Sequence, residues 1–342
     1  MTDTPALAVR NLAVGFRRRR RDPMFWALDD VTLIVPQGRT MGLVGESGSG
    51  KSTLAKAVLG LAPIASGAVQ LLDQDITRLR PAQRRKLGST LQAVFQDPNS
   101  SLNPSYTIGR SLAEPLRAQG THSRHDITGR TTAMLKDVGM EPSAASRFPR
   151  DFSGGQRQRI SIARALMTAP RLVICDEAVS ALDLSVQAQI LNLLADLQDQ
   201  HGLSYLFISH DMSVVRHLCH DLTVLYRGQV MEAGPTHLVA RSPAHPYTRA
   251  LLLAAPVADP TTQRRRRPAA TVPENSTGAQ GGCPFAPRCP FATDRCRQTR
   301  PETRHLDDGR TVACHHYPQW QHDAPDHGAA PLTTTSNGTE TS

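Results

Sequence analysis

The sequence predicts an α/β protein whose sheet is mainly parallel and is covered by helices on both faces. Continuous apolar runs, such as those at 172–175 and 205–208, are typical of strands that are buried on both faces. Helical segments alternate with these runs, and the segment 185–198 places its apolar residues on one face. Functional groups gather at the carboxyl ends of strands in such sheets, so the residues that follow these runs are the first candidates for a site.

The individual elements follow from the same periodicities. Alternating apolar residues near the amino end predict strands, and from 103 to about 150 the pattern is helical and rich in loops. The predicted strands are 6–9, 31–35, 40–44, 68–72, 92–95, 172–175 and 205–208, and the predicted helices are 52–59, 111–116, 131–138, 156–167 and 185–198.

Length and composition fit one large globular domain with an appendage. The chain has 342 residues, of which 39% are hydrophobic and 20% are charged. No apolar run is long enough to span a bilayer and no signal peptide opens the chain, so we expect a cytoplasmic protein. If the protein works at a membrane, other chains must supply the part that crosses it.

The net charge of +9 leaves several kinds of anionic partner open. Two arginine runs, at 17–21 and 264–267, lie in segments with loop character. They are either solvated loop charge or contacts for acidic lipid headgroups or a partner protein. Aromatic residues make up 4% of the chain and do not interleave with the basic ones, which argues against a single-stranded nucleic-acid platform.

A phosphate-binding loop follows the predicted strand 40–44. Its sequence is Gly45-Glu46-Ser47-Gly48-Ser49-Gly50-Lys51-Ser52, with Thr53 next in the predicted helix. Backbone N–H groups at a helix start can wrap a triphosphate only where side chains stay out of the way, which explains the repeated glycine. Lys51 supplies a positive charge for the outer phosphates, and the Ser52 hydroxyl can bind Mg²⁺. The loop predicts a nucleotide-binding protein.

Further candidates lie at strand ends and at a helix start. Asp176 and Glu177 follow one apolar run, and His210 follows another. The segment Ser153-Gly154-Gly155-Gln156 opens a predicted helix and makes a second anion site. That second site has no obvious ligand within its own chain if the first loop already holds the phosphates.

Together these motifs resemble the ATPase subunit of an ABC transporter. The resemblance implies an ABC-type P-loop NTPase core with an antiparallel β subdomain and a helical subdomain, and an ATPase activity coupled to transmembrane transport. In that family the signature segment, here 152–159, binds the γ-phosphate of ATP held by the opposite subunit. Two subunits would therefore meet head to tail and enclose two nucleotides.

The resemblance also implies a role for matched positions outside the phosphate loop. Trp26 lies where the family places an aromatic residue that stacks on adenine, although a half-buried core tryptophan is the alternative. Gln96 matches the glutamine that links Mg²⁺ or water to the membrane subunits. Asp176 should hold Mg²⁺, through a water molecule.

The remaining matched positions concern the attacking water and the γ-phosphate. Glu177 is expected to be the general base or the carboxylate that orients water, Asp183 belongs to the loop that crosses the dimer, and His210 touches the γ-phosphate. The expected catalytic residues are Lys51, Gln96, Glu177 and His210, and the expected Mg²⁺ ligands are Ser52, Gln96 and Asp176. The residues expected to contact ATP are Trp26, Gly45, Glu46, Ser47, Gly48, Ser49, Gly50, Lys51, Ser52, Thr53, Gln96, Ser153, Gly154, Gly155, Gln156, Asp176, Asp183 and His210.

The resemblance narrows to the dipeptide and oligopeptide importers, of the OppF/DppF type. It rests on the segments 95–104 and 245–252, and for the OppF/DppF type on 175–183 together with 155–159. It implies as partners a second ATPase subunit, which we expect to be a paralogue, two permease subunits and an extracytoplasmic substrate-binding protein, with the chain peripheral on the cytoplasmic face of the inner membrane. Nickel and glutathione importers share much of this pattern. A non-transport ABC ATPase acting on nucleic acid or ribosomes is the other class, which only the basic charge favours.

The six cysteines fall into two groups. Cys175 and Cys219 lie in apolar surroundings and are typical of small core residues. The others, Cys283, Cys289, Cys296 and Cys314, have the spacing C-x5-C-x6-C-x17-C, and a cytosolic location argues against disulfides. The resemblance favours a [4Fe–4S] cluster on these four, with zinc as the second choice, His315 and His316 as alternative ligands, and free thiols without metal as the remaining reading.

Composition divides the chain into four parts. Residues 1–258 are expected to form the nucleotide-binding domain, with the helical subdomain at about 97–165. A linker rich in proline, arginine and glycine is expected at 259–282, the cysteine-rich segment at 283–317, and a disordered tail at 318–342.

Overall fold

The computed structural model describes residues 4–17, 22–97, 101–120, 122–254 and 281–323. In chain order its strands and helices are β1 (Leu7–Phe16), β2 (Phe25–Val35), β3 (Thr40–Val44), α1 (Lys51–Leu59), β4 (Ser66–Leu71), β5 (Gln74–Asp75), α2 (Pro81–Lys86), β6 (Leu91–Phe95), α3 (Ile108–Gln119), α4 (Arg124–Asp137), α5 (Gly154–Leu166), β7 (Leu172–Asp176), α6 (Leu184–His201), β8 (Ser204–Ser209), α7 (Met212–Leu218), β9 (Asp221–Tyr226), β10 (Gln229–Pro235), α8 (Thr236–Arg241), α9 (Pro246–Ala254), α10 (Asp294–Gln298), β11 (Arg304–His305), β12 (Thr311–Val312) and α11 (Gln319–Asp323).

The strands form two sheets. A four-stranded antiparallel sheet has the order β2-β1-β4-β5. An eight-stranded sheet has the order β11-β12-β10-β9-β3-β8-β7-β6, and its strands from β9 to β6 are parallel. The ends of β3, β7 and β8 therefore lie side by side at one edge, which brings together the segments that carry the predicted site.

The larger sheet is buried on both faces, and β8 shows why its sequence is continuously apolar. Leu206 and Ile208 pack into the cluster that contains α1 and the antiparallel sheet. Tyr205 and Phe207 point to the opposite face and pack into the cluster that contains α5 and α6. Since alternate side chains of a strand enter different cores, neither set can be polar.

A group of helices lies between β6 and β7 in the chain. It consists of α3, α4 and α5, whose buried residues, including Leu112, Leu135 and Ile160, share one core cluster. The start of α5 is fixed by a capping box, in which the Ser153 side chain and the Gln156 side chain each accept from the backbone N–H of the other residue.

The cysteine-rich segment is joined to the larger sheet and is not a separate appendage. β12 pairs antiparallel with β10, and β11 pairs with β12. The buried carboxylate of Glu232, on β10, accepts from the Ala244 and His245 amides at 2.8 and 2.9 Å and lies 3.4 Å from the Arg310 guanidinium. Burial raises the pKa of Glu232, whereas the two amide donors and Arg310 favour the charged carboxylate and oppose that shift.

The predicted fold class is confirmed, and the observed elements that were not predicted include the short β5 and α2 and most of those toward the carboxyl end. Every predicted strand and helix overlaps an observed one, whereas β9, β10 and the helices α7 and α8 were not predicted. Residues 319–323, in the expected tail, are helical, and Trp320 is buried with its indole N–H bonded to Ala244 O at 2.9 Å. The rest of that tail and most of the expected linker lie outside the described residues.

Candidate nucleotide-binding site

The loop between β3 and α1 has the shape that a phosphate cradle needs. A Cβ on Gly45 would lie 2.1 Å from the Leu225 carbonyl oxygen, and Gly50 has a φ of 108°, which favours glycine. The Ser49 hydroxyl is buried and has no hydrogen-bond partner within the described part of the chain. No acidic side chain occupies the first turn of α1. These features suit an anion at the helix start.

Lys51 lies inside the loop. Its ammonium donates to the carbonyl oxygens of Gly45 and Glu46 at 2.7 and 2.9 Å, and the residue is 5% exposed. Burial lowers its pKa, and the carboxylates of Glu177, Asp176 and Glu46 oppose that shift. The positive charge is thus held close to where outer phosphates would lie.

Two of the predicted Mg²⁺ ligands touch each other at the floor of the site. The Ser52 hydroxyl donates to Asp176 Oδ1 at 3.2 Å, because the end of β7 lies beside the start of α1. Burial raises the pKa of Asp176, and the bond from Ser52 opposes that shift. A hydroxyl and a carboxylate oxygen are the ligands that Mg²⁺ prefers, so this pair fits the metal.

Glu177 and His210 form the second predicted pair. His210 Nδ1 lies 3.5 Å from Glu177 Oε1, and the two side chains are 56% and 22% exposed. Glu177 has a φ of 52°, a left-handed conformation that is uncommon for a residue with a side chain, and its N–H donates to Ile208 O at 3.0 Å. The backbone of β8 therefore fixes the direction of the Glu177 side chain.

Trp26 and Gln96 lie at the margins of this site. Trp26 is 46% exposed, and the next residue, Ala27, places its carbonyl oxygen 2.6 Å from where a Cβ on Gly50 would be. Gln96 is exposed directly after β6, whose last residue, Phe95, pairs with Asp176. Both predicted residues therefore border the phosphate loop or the end of β7.

The signature segment lies next to the start of α6, where Asp183 belongs to the loop that is expected to cross the dimer. A Cβ on Gly155 would lie 2.5 Å from Val186 on α6, and Asp183 caps α6 by accepting from Val186 N at 2.9 Å. Ser153, Gln156 and Asp183 are exposed. Within the described ranges, no hydrogen bond or ion pair joins this segment to the phosphate loop. The structure thus presents two separate surfaces on one chain.

The four cysteines near the carboxyl end line a single cavity. Burial raises the pKa of Cys283 to about 11 and that of Cys289 to about 12. In the described residues, no group of three or more His, Cys, Asp or Glu side chains is arranged to hold a metal ion, whether zinc or iron. The lining residues are His245, Pro246, Cys283, Phe285, Ala286, Cys289, Phe291, Cys296, Cys314, His315 and His316.

The two histidines beside Cys314 have other partners. His315 Nε2 lies 2.9 Å from Thr299 O, and His316 Nε2 lies 2.9 Å from Thr293 Oγ1. Cys175 and Cys219 are buried in the main core, and burial raises the pKa of Cys175 to about 12. Their interpretation as small core residues agrees with this burial.

Sequence reasoning missed four residues around the phosphate loop, which are Arg288, Tyr247, Tyr226 and Phe285. Arg288 forms a two-bond ion pair with Glu46, and the Glu46 N–H donates to the Tyr247 hydroxyl at 2.9 Å. Tyr247 packs against Tyr226 and Phe285 with ring centroids 4.5 and 5.3 Å apart. The only sequence signal was the position of Arg288 directly before a cysteine in an otherwise apolar, proline-rich stretch.

Among the described residues, no helix is both long enough and apolar enough to cross a bilayer.

Comparisons with known proteins agree with this geometry. Residues 28–180 match the model for "ABC transporter", and residues 231–296 match the model for "Oligopeptide/dipeptide transporter, C-terminal region". The oligopeptide transport ATP-binding protein OppF of Salmonella typhimurium is 44% identical over 305 residues, which cover 86% of this chain and 91% of that protein. The di/tripeptide transport ATP-binding protein DppF of Pseudomonas aeruginosa is 45% identical over 295 residues, with the same coverage of the two chains, 86% and 91%.

A solved structure supports the same assignment. The ATP-binding cassette MJ0796, solved as a dimer in a post-hydrolysis state with ADP and Pi, superposes with a TM-score of 0.60 at 27% identity, covering 67% of this chain and 98% of that one. The predicted resemblance to the ATPase subunits of ABC peptide importers is therefore confirmed. The chain belongs to the ABC transporter ATP-binding proteins, in the branch that carries the oligopeptide/dipeptide transporter C-terminal region.

Proposed function

We propose that the chain is the ATP-hydrolysing subunit of an ABC importer that drives the uptake of di- or oligopeptides across the cytoplasmic membrane. The main support is the site itself, in which a phosphate loop, the Ser52–Asp176 pair and the Glu177–His210 pair meet at one sheet edge. The peptide substrate is supported by the names of the relatives and by the matched C-terminal region. The chain would work at the cytoplasmic face of the membrane, peripherally.

In this proposal each residue of the site has one task. The loop amides and Lys51 bind the phosphates, with Trp26 against the adenine ring. Ser52 and Asp176, with Gln96 nearby, would hold Mg²⁺, which neutralises phosphate charge when it is bound. Glu177 orients the attacking water and accepts its proton, and His210 donates to the γ-phosphate. In-line attack on the γ-phosphate then yields ADP and phosphate.

The need for a second ATPase subunit follows from the separation of the two surfaces on one chain. The exposed segment at 153–156 and Asp183 would meet a nucleotide held by a second ATPase subunit. The dimeric state of the solved cassette supports a pair of ATPase subunits. We propose that this second ATPase is a paralogue, and that two permease subunits and a substrate-binding protein complete the importer.

The transport function is tested by reconstitution. The chain is purified with the subunits that accompany it and placed in liposomes, and ATP turnover is measured with a substrate-binding protein and a panel of di- and oligopeptides. We expect peptide to raise turnover and to accumulate inside the vesicles only with ATP. Stimulation by Ni²⁺ or glutathione instead of peptide, or co-purification with ribosomes and no membrane subunit, would contradict the proposal.

We also propose that the cysteine cavity holds a [4Fe–4S] cluster with a structural role. Four thiols from separate segments line one cavity that also contains Phe285 and Phe291, and four cysteines in an apolar setting suit such a cluster. When bound, the cluster would cross-link the chain on either side of α10. Cys283 N–H donates to Cys296 O at 2.8 Å, so two of these segments are already held together.

The cluster proposal predicts the metal content of the purified chain. Protein prepared without oxygen should carry about four iron and four sulfide per chain. Cys296→Ser should lose most of both and unfold at a lower temperature, since a ligand is removed. Cys219→Ala, a buried cysteine outside the cavity, is the matched control and should keep the metal. Wild-type protein with zinc, or with no metal and the same thermal stability as Cys296→Ser, would refute it.

A further inference from the structure

The cysteine-rich segment reaches back to the phosphate loop through Arg288. Its Nη1 donates to Glu46 Oε2 at 2.6 Å and its Nη2 donates to Glu46 Oε1 at 2.9 Å, which is a parallel two-bond arrangement. The side chains are 25% and 32% exposed, so solvent screens this pair only in part. The bond to Glu46 raises the pKa of Arg288, which stays charged at any working pH.

Aromatic rings fix the position of the Arg288 guanidinium. It lies 5.9 Å from the centroid of Tyr226 and 5.7 Å from that of Phe285. Phe285 also lines the cysteine cavity, and Cys289 directly follows the arginine in the chain. The guanidinium therefore cannot move far without a rearrangement of the cavity wall.

Glu46 places a carboxylate in the phosphate loop, so its negative charge lies beside the expected phosphates. Both backbone polar groups of Glu46 are hydrogen-bonded, because its amide donates to the Tyr247 hydroxyl and its carbonyl oxygen accepts from Lys51 Nζ. The charge of Glu46 acts on Lys51, whose pKa it raises against the effect of burial. Without a nearby cation, that carboxylate would repel a bound triphosphate.

A second arginine of the same segment contacts the strand that carries Trp26. Arg300 Nη1 donates to Asp29 Oδ2 at 2.9 Å, and its Nη2 donates to Asp29 O at 3.2 Å. The segment 281–323 thus touches both the phosphate loop and the strand that carries Trp26.

We propose that the cysteine-rich segment is part of the nucleotide site, and that Arg288 is a positioning residue that neutralises Glu46 and fixes the phosphate loop. This proposal depends on the proposed function in one respect, which is that ATP is the ligand of the phosphate loop. Arg288 does not touch the reacting atoms, so its loss should weaken nucleotide binding and leave the chemical step intact.

The test measures the affinity for a fluorescent ATP analogue, together with KM and kcat for ATP in the reconstituted complex. Arg288→Ala should raise Kd and KM by about three- to tenfold, with kcat within about twofold of wild type. Arg297→Ala is the matched control, because Arg297 belongs to the same segment and, among the described residues, its side chain pairs with Asp294 on its own short helix and not with the phosphate loop. Its Kd and KM should equal those of wild type.

A rescue experiment separates the charge effect from a folding effect. Adding Glu46→Gln to Arg288→Ala removes the unpaired carboxylate, and it should bring Kd and KM back to within about twofold of wild type. If Arg288→Ala binds nucleotide as tightly as wild type, or if the double variant stays as weak as the single one, the proposal is overturned. If wild type binds the analogue with this pattern but does not hydrolyse ATP, the proposed function fails and this inference stands.

Discussion

Replacing Glu177 by glutamine should lower ATP turnover by at least about 100-fold while nucleotide binding is retained. Glutamine has nearly the same shape as glutamate, so the left-handed turn after β7 and the bond from the Glu177 amide to Ile208 O can persist. It cannot accept a proton from water at neutral pH, and it removes the charge that faces His210 at 3.5 Å. Binding depends on the phosphate loop, which this change does not touch.

The measurement is phosphate release at saturating ATP, beside the Kd for a fluorescent ATP analogue. Glu141→Gln is the matched control, because Glu141 is an exposed glutamate among the helices between β6 and β7 and its side chain caps nothing. That variant should turn over ATP at the wild-type rate. Equal turnover in wild type and Glu177→Gln would exclude Glu177 as the base.

Lys51→Ala should weaken nucleotide binding by about 2–3 kcal/mol, or about 30- to 150-fold in Kd. The ammonium is the cation closest to the predicted phosphate position, and it is almost fully buried. Its two bonds to loop carbonyls also hold the loop open around the anion. Alanine removes both the charge and these bonds, whereas the glycines that shape the cradle remain.

Isothermal titration with ATP and Mg²⁺ measures this loss directly. Lys56→Ala is the control on the same helix, since Lys56 is exposed one turn further along α1. It should bind nucleotide with an affinity close to that of wild type. If Lys51→Ala kept wild-type affinity, the phosphates would have to bind away from this loop.

Much of the fold and of the site could be predicted because the signals are local. A strand such as β8, buried on both faces, must be continuously apolar, and a phosphate loop needs its glycines and lysine at fixed spacing. Asp176, Glu177 and His210 were found because each follows a recognisable apolar run. The parallel order of β7, β8 and β3 then brings these separate segments together.

The contacts of the cysteine-rich segment could not be predicted, because they join residues that lie far apart in the sequence. Glu46 and Arg288 are 242 residues apart, and neither carries a local sign of its partner. β11 and β12 have two residues each, too few to show an alternating pattern. Trp320 lies in a stretch whose polar composition suggested disorder, yet its indole is buried and donates to Ala244 O, and Gln321 donates to Pro243 O at 2.8 Å.

The most direct test of the account is a cryo-EM structure of the assembled transporter, trapped with ATP by the Glu177→Gln substitution. Each triphosphate should lie between the loop at 45–52 of one ATPase subunit and the signature segment of the other, which in this chain is 152–159 with its helix start at 153–156. A trapped assembly in which those two surfaces face away from each other, with each nucleotide held by one subunit alone, would contradict it.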